Sequence, residues 1–79
     1  MTSSEIIERS NQAQNLLSNP TLQKAFEGVR QGLLVNLEAT MIGDRDTQHE
    51  IALSLQLLKS VRRMLEKWVT DGEVEKRRT

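Results

Sequence analysis

The chain has 79 residues, one histidine, no cysteine, and 11 basic against 11 acidic residues. That length limits it to one domain with a marginal core of its own. The absence of cysteine excludes disulfides and thiolate metal sites, and the neutral balance argues against a strongly basic nucleic-acid module or an acidic mimic of DNA. A scaffold this small, without disulfides or a metal, relies on close helix packing or on a partner chain.

No apolar run approaches a membrane span. The opening "MTSSEIIERS" is polar and acidic, without the basic region and apolar core of a signal peptide. The expectation is a soluble, cytoplasmic chain with no membrane partner. Phe26 and Trp68 are the only aromatic residues, and Val, Ile and Thr do not alternate. Leu, Glu, Gln, Lys, Arg and Ala fill the segments, which predicts an all-α fold.

The first helix is expected over about 4–17. Thr2 and Glu5 stand at capping-box spacing, and Ile6, Ile7, Ala13, Leu16 and Leu17 form a short apolar stripe. Pro20 disfavours helical geometry in the residue before it, so this helix ends ahead of "SNP". Asn19 as N-cap and Pro20 at the first helical position restart the chain as a second helix over about 20–41. Its face is Leu22, Phe26, Val29, Leu33, Leu37 and Met41. Gly28 and Gly32 lie inside it, as weak spots or as a notch for a close neighbour; each costs up to ~1 kcal/mol against Ala.

"MIGDRDTQHE" breaks the chain again. Gly43 suits a helix C-cap, Asp44 or Asp46 can cap the next helix, and Thr47 with Glu50 repeats the capping-box spacing. The third helix is expected over about 47–70, with Gly72 as a stop and 73–79 as a flexible charged tail. The last two helices have similar lengths and a short connection, which favours an antiparallel hairpin preceded by the short first helix.

The third helix is more apolar than one neighbour requires. Ile51, Leu58, Val61, Leu65 and Trp68, with Ser54 in the missing position, read as a heptad-like seam toward the second helix. Leu55 and Val69 lie on one flank, and Leu53, Leu57 and Met64 on the other. A wide face needs several neighbours, and a bare apolar patch marks an interaction site. Leu53, Leu55, Leu57, Met64 and Trp68 are therefore the candidate interface. The expected partner is a second copy of the chain, another structural protein, or both. Trp68 also fits as a core anchor.

Four further features have chemical readings. Lys59, Arg62, Arg63 and Lys67 form a basic stripe that could touch phosphates, although neutral net charge weakens the needed electrostatic term. Asp44, Asp46, His49 and Glu50 could in principle hold a cation, yet "HEIAL" lacks the second His of H-E-x-x-H, and helix capping accounts for the acids. No phosphate loop accompanies Gly28 and Gly32. No Ser–His–Asp arrangement is legible. The reading is therefore non-enzymatic, with no cofactor, metal or catalytic residue assigned.

The segments "LLSNPTLQKAFEGVRQGL", the "DRD" turn and the leucine-rich last helix together resemble short helical-hairpin proteins encoded among the virion-assembly genes of tailed bacteriophages. The resemblance spans roughly 12–70 and includes no catalytic motif. It implies a small virion or morphogenesis component that binds other structural proteins. The expectation is a self-associating structural or assembly-accessory protein in the host cytoplasm or the virion. A small nucleic-acid-associated regulator and an adaptor or inhibitor of a host protein are the alternatives.

Overall fold

A computed structural model of the chain describes residues 1–78. It contains three helices, α1 (Ser3–Leu17), α2 (Pro20–Ala39) and α3 (Arg45–Arg78), and no strand among the described residues. The fold is all-α. The N-termini follow the capping chemistry in the sequence. The Thr2 hydroxyl accepts from the Glu5 amide at 3.2 Å and donates to the Glu5 carboxylate at 3.0 Å. Asn19 Oδ1 accepts from the amides of Thr21 and Leu22 at 2.8 and 3.2 Å. Asp44 Oδ1 accepts from the Thr47 amide at 3.2 Å and so caps α3. Gly43 has φ of +96° and forms the turn before α3. It does not end α2, which stops earlier, at Ala39, with Thr40 as its C-cap.

α1 and α2 lie one after the other along α3, both antiparallel to it. Ser3 meets Glu75, Ser10 meets Val69, and Leu17 shares a pocket with Arg62. Beyond the break, Phe26 and Arg30 lie beside Leu58 and Lys59. The molecule is thus a two-armed rod, one arm continuous and the other broken at Ser18–Pro20. The Gln23 side-chain amide bridges that break by donating to the Leu17 carbonyl at 2.7 Å. At 1.5 Å per residue α3 is about 51 Å long, which accounts for the 55 Å long dimension.

The sequence places the end of the third helix near Thr70 and a flexible tail at 73–79. The structure corrects this, since α3 continues to Arg78. Thr79 lies outside the described residues. The cause is α1. Ser3 donates to the Glu75 carboxylate, Lys76 donates to Asn11 at 3.4 Å, and Asp71 pairs with Arg9 at 3.6 Å. These contacts hold the last two turns of α3 against a neighbour, so helical geometry persists through Gly72.

Gly72 is the point of closest approach. It is buried, and a methyl group built on it would overlap Cβ and Oγ of Ser10 and stand 3.5 Å from the Ser10 Cα. Ser10 is itself buried, and its hydroxyl donates to the Val69 carbonyl at 3.2 Å. Ala13, one turn on, is 1% exposed. Three small residues therefore let α1 and α3 come together backbone to backbone. Gly28 and Gly32, by contrast, face open space, with nothing within 4 Å of an added methyl, so neither forms a notch.

These glycines give opposite predictions. Gly72→Ala gains helix propensity of up to ~1 kcal/mol, but overpacking costs about 1–3 kcal/mol, and the overlap with Cβ cannot be relieved by rotating Ser10. Chemical denaturation at fixed protein concentration is expected to show Gly72→Ala less stable than the parent, and Gly28→Ala and Gly32→Ala each more stable. A stabilised Gly72→Ala would contradict the close crossing.

Candidate interaction surface

The buried residues of α3, Ile51, Leu65 and Gly72, fall on one line, and half-buried Leu58 completes a strict seven-residue repeat with them. This is the seam against the broken arm. Ser54 and Trp68 lie along it, half-buried. Val61 does not: it is 52% exposed. It lies about level with the Ser18–Pro20 break, where no helix crosses to cover it.

A flank of α3, about a quarter turn round from this seam, is bare. Leu53, Leu57, Val61 and Met64, at spacings of four, four and three, form a continuous exposed stripe, with Leu57 68% exposed. Of the interface residues expected from the sequence, Leu53, Leu57 and Met64 lie on this stripe. Leu55 and Trp68 are half-buried and do not belong to it. Trp68 is held by α1, where the Arg9 guanidinium lies 4.9 Å from its ring centroid. Arg9 is fixed in turn by Asp71, which also accepts from Lys67 at 2.9 Å. Arg9 Nε is buried and lacks a hydrogen-bond partner; the guanidinium is held by the ring, by the Asp71 carboxylate and by Met1 Sδ, to which Nη1 donates at 3.0 Å.

α2 contributes the second bare surface. None of its residues is buried. Leu22, Phe26 and Leu33 are half-buried, whereas Val29 and Leu37 are exposed and Met41 and Ile42 stand out from the turn. Leu22, Ala25, Phe26, Val29 and Leu58 line an open apolar shelf where α2 meets α3. Sequence periodicity identified this face but could not show that α3 covers so little of it.

The basic stripe is split. Arg62 pairs with Glu66 at 3.5 Å and Lys67 with Asp71 at 2.9 Å, while Lys59 and Arg63 flank a shallow polar depression with Gln56 and Ser60. All four are exposed. On α2, the Gln31 amide donates to Glu27 at 2.9 Å and Arg30 pairs with it at 3.1 Å. The Gln31 hydrogen bond, seconded by the nearby Arg30 charge, holds the Glu27 carboxyl below its usual range. Asp44 is occupied with capping, and no group of three His, Asp or Glu side chains among the described residues is placed to hold a metal ion. No helix among them is long and apolar enough to cross a membrane.

Comparison with protein-family models found no match, and comparisons with curated proteins and with solved structures likewise found none.

Trp68 is the only tryptophan, so its emission reports the docking of α1. Arg9→Ala removes both the stacked cation and one of the two partners of Asp71. It is expected to lower stability by about 1 kcal/mol, read from denaturation followed by Trp68 fluorescence. Arg9→Lys keeps the charge but loses the planar stack and recovers only part of that loss. Full recovery by Lys would show that the ring contact contributes nothing.

Proposed function

We propose that the protein is a non-enzymatic, self-associating structural or assembly-accessory protein. The sequence resemblance suggests a tailed-phage virion or morphogenesis component as its setting. The observation that carries this reading is the distribution of apolar surface. Of the twelve large hydrophobic residues exposed among those described, nine lie between Val29 and Met64, on α2, the turn after it and the first part of α3. Only Met1, Leu16 and Val74 lie elsewhere. Leu53, Leu57, Val61 and Met64 are the continuous part of that surface, and a contiguous exposed apolar patch on a small chain marks a protein-binding site.

The size of the surface supports the same reading. A compact monomer of 9.0 kDa exposes about 4,900 Å², whereas this chain exposes 6214 Å². Its radius of gyration is 16.9 Å, against about 12 Å for a compact domain of this length. The surplus of roughly 1,300 Å² follows from the elongated shape and leaves room for the ~800 Å² that each partner contributes to a standard interface.

Nucleic-acid binding has less support. Two of the four cations in the basic stripe are engaged with carboxylates of their own helix, and the whole chain has no net charge.

The test is solution mass by light scattering across a dilution series, for the parent and for Leu57→Glu. Burying a leucine contributes about 1.5–3 kcal/mol, and a self-association places at least two copies in the contact. Leu57→Glu is therefore expected to weaken association on the order of a hundredfold or more and to run as a folded monomer where the parent does not. A Leu57→Glu variant with the parental mass at every concentration would place the contact elsewhere.

A further inference from the structure

We infer that the exposed stripe of α3 seats the same stripe of a second copy, antiparallel, about a two-fold axis passing beside Leu57. This inference rests on the self-association proposed above and specifies its geometry. Two observations carry it: the stripe's charge pattern and the chain's surplus surface.

The stripe is electrically divided along its length. The charges that edge it are Asp46 and Glu50, with Arg45, at its beginning and Arg63 and Lys67 at its end, whereas Lys59 and Arg62 lie on the side of α3 that meets α2, beside Phe26 and Arg30. All of these side chains are exposed. Antiparallel stacking centred on Leu57 sets Leu53 level with Val61 of the second copy. It brings Glu50 within one residue of the level of Arg63, and Asp46 within one residue of Lys67, whose ammonium also pairs with Asp71 of its own helix at 2.9 Å. Each acidic end then lies along a basic end, twice over by symmetry. Parallel stacking at the same register would set acid beside acid and base beside base, which costs free energy in a helix pair. A chain with no net charge can thus carry a self-complementary field, because its two signs are separated along one helix.

The surplus area fits one closed contact. An isologous interface uses the same patch on both chains and ends with two. The patch has to supply about 800 Å² per chain, and the elongated chain, with roughly 1,300 Å² more surface than a compact monomer, leaves area of that order outside the α1–α3 seam.

The chain has no cysteine, so introduced cysteines report proximity without background. Under mild oxidation or with a short bismaleimide, Leu57→Cys is expected to cross-link to its own copy as the dominant product on a non-reducing gel. Leu53→Cys alone and Val61→Cys alone should cross-link several-fold less, because each is about 12 Å along the axis from its own copy. Mixing those two variants should restore cross-linking. Each variant is first confirmed by light scattering, under reducing conditions, to keep the parental mass. Equal cross-linking of all three single variants would mean parallel stacking and overturn the inference. An associated protein in which Leu57→Cys does not cross-link would also overturn it, while leaving the proposed self-association intact through another face. A parent that is monomeric at every concentration would remove both.

Discussion

The structure depends on one demand: a 34-residue helix that is apolar on more than one side must be covered along its length. α1 meets that demand over the second half of α3, and it does so at short range. Ser10, Ala13 and Gly72 remove the side-chain bulk that would hold the two backbones apart, and dispersion contacts replace it. Around this crossing sit the stacked Arg9 and Trp68, the Asp71 carboxylate and the Ser3–Glu75 and Lys76–Asn11 contacts. That half of the molecule is tied together by several independent interactions.

The other half is not. α2 lies along the first part of α3 but buries none of its own residues. The break at Ser18–Pro20 lies between the two regimes. Proline and the Asn19 cap stop α1 from continuing as one straight arm, and past the break Val61 lies uncovered beside Leu57 and Met64. The open shelf of Leu22, Ala25, Phe26, Val29 and Leu58 belongs to the same half. One fold thus combines a closed seam with an open apolar half, and the second is what the proposed association uses.

Much of this was legible in the sequence because it depends on local chemistry. Thr2, Asn19 and Asp44 cap as their side chains require, Pro20 begins a helix, and three helices form. The width of the apolar face on α3 was also readable, and Leu53, Leu57 and Met64 are exposed as that width implied. What was not legible depends on contacts distant in sequence. Gly72 reads locally as a helix stop, yet α3 runs through it because α1 holds the turns beyond it, and Ser10, 62 positions away, packs where a side chain would stand. The signal was available in the pairing of small residues, Ser10 and Ala13 on one helix with a glycine on another, but spacing alone does not say which small residues meet. Gly28 and Gly32 are as small and meet nothing. Trp68 likewise joins the α1 contact because Arg9 reaches it, which no periodicity within α3 could show.

The central claim is that the half of the molecule built from α2 and the start of α3 completes its burial in a second copy. Amide hydrogen exchange at increasing protein concentration tests this most directly, because association protects only the elements it stabilises. Protection in α2 and in α3 up to Met64 is expected to rise with concentration, while α1 and the part of α3 after Leu65 stay unchanged. Protection independent of concentration throughout the chain would contradict it.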